Sequence, residues 1–292
     1  MAACSESTEP GTTAPPERFV VAAAGDIVCG SDTDSTHACQ HEATAALVLA
    51  IAPQAVLVLG DVQYEEGELE DFQQFYEPTW GAFKAITYPA TGNHEYESPG
   101  ADGYFDYFNG VGVDSGRAGH RARGYYAFTL GPWRAIALNS NCGDIGGCGE
   151  GSPQERWLRG VLASSDAACT LAFWHHPLFS ASRQEPAVAP LWRALQDHGV
   201  DLVLTAHDHL YQRFAPLTWN GVVDSSRGIS SFVVGTGGKN VYGASNSPLG
   251  LEVKDGRTFG VLRLVLNPDG FEWQFLGVPG STFSDSGAAR CR

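Results

Sequence analysis

Residues 55–64 read AVLVLGDVQY, five apolar residues followed by Gly60-Asp61. An unbroken apolar run of this length, with Pro53 before it and a glycine after it, predicts a strand buried on both faces, as in parallel sheets. The same syntax recurs along the chain. Phe19–Ala24 (FVVAAA) ends in Gly25-Asp26, and Ile86–Ala90 leads to Gly92-Asn93-His94. Leu171–Trp174 ends in His175-His176, and Asp201–Thr205 ends in Ala206-His207-Asp208-His209. Helical patterns intervene at His41–Ile51, at 152–163 and at Val188–His198. In the second of these Ser152 is the cap, Pro153 stands in the first turn and Glu155 follows three residues after the cap. Shorter helical stretches are expected at Phe72–Tyr76 and Trp80–Lys84. Strands alternating with helices predict an α/β fold. An antiparallel portion is added by a hairpin (125–130 and 133–138) and by strands at 229–234, 259–266 and 271–276.

Composition narrows the function. The chain has 292 residues, 43% hydrophobic and 17% charged, enough for one large core or two small ones. Residues 18–292 contain no repeat and no linker and are expected to form a single domain; residues 1–17 read as a tail or tether. Eighteen basic residues against 33 acidic give a formal charge of −15. That excludes an electrostatic grip on nucleic acid or an anionic membrane as the main activity, because both need clustered Lys and Arg. It also raises a question about any anionic substrate.

Seven cysteines bear on the compartment. Cys29/Cys39 and Cys142/Cys148 are close pairs in polar, glycine-rich segments, and Cys169 and Cys291 remain as a long-range pair. Six cysteines that pair off in this way fit an oxidising, extracytoplasmic setting. Cys4, after Ala2-Ala3, resembles the lipid-bearing cysteine of a bacterial lipoprotein; the other reading is a plain tail. Membrane association is expected only through a lipid on Cys4, since no apolar run approaches the ~20 residues of a transmembrane helix.

The turns after the strands hold the chemistry. They carry Asp26, Asp61, Tyr64, Asn93, His94, His175, His176, His207 and His209, a set that includes five of the nine histidines. In open α/β sheets the loops beyond strand carboxyl ends converge on one crevice. Carboxylate, imidazole, amide and phenol oxygen are donors for hard or borderline metals. Two neighbouring metals need a bridging ligand, which a carboxylate can be.

Gly25-Asp26, Gly60-Asp61-Val62-Gln63-Tyr64, Gly92-Asn93-His94-Glu95, Ala172-Phe173-Trp174-His175 and Ala206-His207-Asp208-His209 resemble, in order, the five blocks of calcineurin-like metallophosphoesterases. Tyr64, three residues after Asp61, resembles the purple acid phosphatase branch, in its short single-domain form. The resemblance implies a four-layer αββα sandwich of two mixed sheets flanked by helices. It further implies two metal ions: Fe(III) held by Asp26, Tyr64 and His209, and a divalent Fe, Zn or Mn held by Asn93, His175 and His207, with Asp61 bridging. His94 would donate a proton to the leaving oxygen and His176 would contact the phosphate. Either His175 or His176 could be the ligand, and the spacing to Pro177 favours His175. Two departures stand out: Val28 occupies a position where many relatives carry a metal-binding His, and Ala206 replaces a usual Gly.

The implied activity is hydrolysis of phosphate monoesters by a metal-activated hydroxide. A phosphodiesterase or pyrophosphatase on the same scaffold, and a non-catalytic phosphate- or metal-binding surface lipoprotein, are the alternatives. No G-x-S-x-G nucleophile elbow occurs. Four further features stay open: Cys29, His37, Cys39 and His41 as a zinc cluster or a disulfide; the Gly235–Lys239 turn as a border of the crevice; Tyr104–Phe108 as packing or substrate rim; and Asn139 and Asn141 as phosphate contacts.

Overall fold

The computed structural model of the chain describes residues 18–30 and 39–292; the tail 1–17 with Cys4, and His37, lie outside the described residues. The first sheet is built from β1 (Phe19–Ala24), β2 (Ala55–Leu59), β3 (Thr87–Ala90), β13 (Gly260–Asn267), β14 (Gly270–Gly277) and β15 (Asp285–Arg290). In space it runs β15-β14-β13-β1-β2-β3. Its β1–β2–β3 half is parallel and its β13–β15 half antiparallel.

The second sheet is built from β6 (Tyr126–Leu130), β7 (Trp133–Ala137), β8 (Thr170–Phe173), β9 (Leu202–Thr205), β10 (Tyr211–Leu217), β11 (Ile229–Val234) and β12 (Leu251–Asp255). Its order is β12-β10-β11-β9-β8-β7-β6, parallel from β7 through β8 and β9 to β11 and antiparallel at both edges. A two-residue ribbon, β4 (Ser115–Gly116) and β5 (Gly119–His120), stands apart.

Helices α1 (His41–Ile51), α2 (Leu69–Asp71), α3 (Asp102–Asn109), α4 (Pro153–Ala163) and α5 (Ala189–Asp197) complete the fold. Side-chain alternation along the strands builds the layers. On β8 and β9, Leu171, Phe173, Leu202 and Leu204 point into the core shared with Val21 and Leu57 of the facing sheet. Their neighbours Ala172 and Val203 point the other way, into a second core with Leu158, Leu162, Leu191 and Trp192 of α4 and α5. On the outside of the first sheet, the 3₁₀ segment Trp80–Ile86 packs beside α1, with Trp80 Nε1 donating to the His41 carbonyl at 3.1 Å. The result is the four-layer αββα sandwich.

The expected cap of α4 forms: Ser152 Oγ accepts the Glu155 N–H at 3.3 Å. The expected helix at 72–76 is a π turn, and Ile86 closes the preceding 3₁₀ segment rather than opening β3. The aromatic run lies in α3, where Tyr104 and Phe105 are fully buried and Tyr107 stacks on Phe72 with centroids 4.9 Å apart. Its role is packing. Disulfides join Cys29–Cys39, Cys142–Cys148 and Cys169–Cys291, so the first pair is spent on a sulfur–sulfur bond.

Candidate metal centre

All five sequence blocks turn sharply where their strands end, and the turns meet. Asp26, Asp61 and His207 have φ of 58°, 47° and 66°, a region that costs any residue with a Cβ. The other described non-glycine residues with such φ, Ala52 and Ala101, sit at helix ends. Close approach makes two glycines necessary. Gly60 has φ 89°, and a Cβ there would lie 2.6 Å from His175 Nδ1. A Cβ on residue 25 would lie 2.5 Å from the Cβ of Ala206, so Gly25 gives Ala206 the room its departure from the family pattern requires.

The side chains converge at ligand-like spacings. Tyr64 Oη lies 2.8 Å from Asp26 Oδ1, 3.1 Å from Asp61 Oδ2 and 3.1 Å from His209 Nε2. His209 Nε2 is 3.2 Å from Asp26 Oδ1. On the other side, His175 Nε2 is 3.1 Å from Asp61 Oδ2 and 3.1 Å from His207 Nδ1. Neighbouring donors around one cation at 2.0–2.2 Å stand about 3 Å apart, which is the edge of the coordination polyhedron. Two such groups are present, and Asp61 Oδ2 belongs to both. Asn93 follows β3, and its Oδ1 is buried with no hydrogen-bond partner. A buried carbonyl oxygen with idle lone pairs is costly unless something occupies them. A metal fits this set.

Between His175 and His176 the structure distinguishes clearly. His175 is fully buried, its Nδ1 donating to the Leu59 carbonyl at 2.9 Å, which aims Nε2 at Asp61. His176 is turned aside, its Nδ1 2.8 Å from Ser140 Oγ, with its ring 4.4 Å from that of His207. His176 still shares a compact group with His175 and His207. His94 stands at the mouth, its ring 4.3 Å from that of Tyr64. Its Nδ1 meets the Glu65 carbonyl at 2.5 Å and its Nε2 is 4.0 Å from Asp61 Oδ2.

Charge is balanced internally. Burial pushes the Asp26 and Asp61 carboxyls up, but the His209 and His175 imidazoles outweigh it and hold both below the usual carboxylate range. Burial likewise opposes a proton on His175, yet Asp61 and Asp26 raise that group to about 9. Burial and the neighbouring His175 push His207 down to about 4, and the Arg183 guanidinium adds to the effect. Burial, with His175 and His207, takes His176 to about 2. Burial and the two aspartates raise the Tyr64 phenol well above its ordinary value. Two buried carboxylates thus draw positive charge toward them, from protons or from a cation.

The Gly235–Lys239 turn does border the crevice: the Lys239 N–H donates to the Asp26 carbonyl at 2.9 Å, and Lys239 Nζ sits 4.4 Å above the Tyr64 ring, paired with Glu65. Asn139 and Asn141 have other work. The Asn139 amide donates to Tyr96 Oη at 2.8 Å and to the Arg123 carbonyl at 3.0 Å, and its Oδ1 accepts from the Asn141 backbone and side chain. Sequence reasoning did not find Ser140, Arg183 or Tyr242. None carries a local signal, since each reaches the centre only through the way its loop is folded.

A sandwich whose strand ends bring carboxylates, phenol and imidazoles to one crevice defines a metal-binding class of protein. The chain belongs to the calcineurin-like phosphoesterase family, whose model matches residues 19–211. An uncharacterized Mycobacterium tuberculosis protein is 29% identical over 225 residues, covering 64% of this chain and 42% of that protein. Arabidopsis thaliana purple acid phosphatase 15 is 25% identical over 195 residues, covering 56% and 36%. The structure of purple acid phosphatase PPD1 from yellow lupin (Lupinus luteus) seeds superposes with a TM-score of 0.74 at 18% identity. It covers 93% of this chain and 53% of the lupin chain, a shared fold. The chain spans about half the length, or less, of these relatives.

Proposed function

We propose that the chain is a dinuclear-metal phosphatase of the purple acid phosphatase type, hydrolysing phosphate monoesters outside the cytoplasm. The observation that carries this reading is the position of Asp61 Oδ2, 3.1 Å from both Tyr64 Oη and His175 Nε2. One oxygen shared by two donor groups is what a bridging carboxylate requires.

Asp26, Tyr64, His209 and Asp61 would hold the first metal; Asp61, Asn93, His175 and His207 would hold the second. The phenol suits a hard ferric ion and the imidazole-rich group a divalent Fe, Zn or Mn. When bound, the pair supplies Lewis acidity toward the phosphoryl oxygens and activation of water. The Glu65 carbonyl can only accept, so His94 Nδ1 keeps a proton against it, and the second proton of the imidazolium form, on Nε2, would be the one passed to the leaving oxygen, leaving the neutral ring. Ser140 holds His176 through Nδ1, and Nε2 would be the atom that contacts a phosphate oxygen. The three disulfides support an extracytoplasmic setting, where a lipid on Cys4 would serve as a tether.

The test compares p-nitrophenyl phosphate with its bis-ester on metal-replete protein, alongside elemental analysis and a visible spectrum. The monoester should be preferred, and a charge-transfer colour should be present in the wild type and absent in Tyr64→Phe. Strong preference for the diester would contradict the monoesterase assignment. A colourless, fully active, iron-free protein would overturn the ferric site.

A further inference from the structure

The mouth of the centre carries a cation that the reaction above does not use. Arg183 lies in the loop after β8, and its backbone N–H donates to Asp208 Oδ2 at 3.3 Å. Its guanidinium carbon is 5.4 Å from the centroid of the Tyr242 ring. Tyr242 donates its hydroxyl to Asp208 Oδ1 at 2.9 Å and stacks on His209, with centroids 5.3 Å apart and rings inclined by 27°. Asp208 is fully buried and also accepts from the Ser180 hydroxyl and from Gln212 Nε2 at 3.4 Å. A single carboxylate therefore anchors both the loop that bears Arg183 and the ring its guanidinium lies against, beside His209 of the metal centre.

The two cations at this rim differ. Lys239, on the Tyr64 side, is paired with Glu65. Among the described residues no carboxylate pairs with the Arg183 guanidinium, and its side chain is exposed. A guanidinium resting against an aromatic face keeps its N–H fork for a planar or tetrahedral oxyanion and loses little freedom on binding one. It reaches the centre through Tyr242, whose ring stacks on His209, and its charge is also felt at His207, so it lines the rim of the crevice and stands outside the group of metal-ligand side chains. On a protein of formal charge −15, such a fixed local cation decides where a second negative group can lie.

We propose that Arg183, carried by Tyr242, forms a second anion subsite, and that the favoured substrates are monoesters whose leaving group bears a further phosphate. The proposal rests on the phosphatase reading for the position of the first phosphate. Bidentate guanidinium contacts to phosphate are among the stronger hydrogen bonds available to a surface site.

The test uses two ligands that cannot be hydrolysed, ethylphosphonate and propane-1,3-diphosphonate, titrated calorimetrically into metal-replete full-length protein whose metal content is checked afterwards. The wild type should bind the diphosphonate at least ~10-fold more tightly than the monophosphonate. Arg183→Gln should erase that difference while leaving ethylphosphonate within about 2-fold, and Arg183→Lys, which keeps the charge without the fork, should restore part of it. Equal weakening of both ligands by Arg183→Gln, no weakening of either, or a wild type without preference would each overturn the subsite. Turnover of p-nitrophenyl phosphate is measured on the same samples. If it is absent while the Arg183-dependent preference is present, the phosphatase reading fails and the subsite stands.

Discussion

The buried carboxylate of Glu95 accepts the backbone N–H of Asp61 at 3.0 Å, and with the same two oxygens it accepts those of Gly92 and Val62 at 2.6 and 2.7 Å. The turn that presents Asp61 and the turn that presents Asn93 are thus tied to one side chain, which itself touches neither proposed metal. Burial, then the nearby Asp61 charge, raises this carboxyl to about 7, against the pull of those same N–H bonds.

Removing that tie should loosen the centre without removing a ligand. Glu95→Gln presents an amide –NH₂ to N–H donors and can satisfy fewer of them. Losses of ~10–100-fold in metal affinity are typical when a group that orients ligands is changed. Competitive chelator titration of Glu95→Gln against wild type measures this. Unchanged affinity would show that the turns hold their shape alone.

His94 should separate substrates by leaving group. A placed proton donor contributes roughly 10²–10⁴-fold, and p-nitrophenolate leaves with little help whereas an alkoxide does not. His94→Ala should therefore lower kcat far more on an alkyl phosphate than on p-nitrophenyl phosphate, with KM changed less. A uniform loss on both would assign His94 to charge stabilisation instead.

A carboxylate that is not one of the metal-ligand residues sets an acid dependence of stability. Asp285, on β15 of the first sheet, accepts from Tyr211 Oη at 2.7 Å and Arg213 Nε at 2.8 Å, both on β10 of the second sheet, and from Trp273 Nε1 at 3.1 Å. Burial pushes its carboxyl up, but the Arg213 and Tyr211 hydrogen bonds outweigh it and hold it below the usual range. A carboxyl lowered on folding stabilises above its unfolded value, ~3.9, and that stability is lost as pH falls through the folded value. Asp285→Asn should cost about 2 kcal/mol near pH 7. The gap from wild type in denaturant midpoint should close below pH ~4. A gap independent of pH would show that the carboxylate charge is not involved.

How far the sequence could be read follows from which residues carry a local pattern. The buried strands Ala55–Leu59 and Leu202–Thr205 were legible because central parallel strands are apolar throughout, and the polar residues after them announce the crevice. The edge strand Asp285–Arg290 was not, since its small and polar residues alternate only between half-buried and exposed, and backbone pairing with β14 defines it. Tyr211–Leu217 was hidden by its charged and proline residues, Arg213 and Pro216. Within the site, residues in the turns directly after strands were visible as motifs. Arg183, Tyr242 and Ser140 were not, because they reach the centre from loops whose course only the folded chain determines.

In the proposed dinuclear centre one carboxylate, that of Asp61, serves two metals. Metal stoichiometry in wild type and in Asp61→Asn, measured by elemental analysis after exhaustive dialysis, tests it most directly. Two metals per chain are predicted in the wild type, with loss of both and of p-nitrophenyl phosphate turnover in Asp61→Asn. One metal per chain in an active wild type, or two retained in Asp61→Asn, would contradict it.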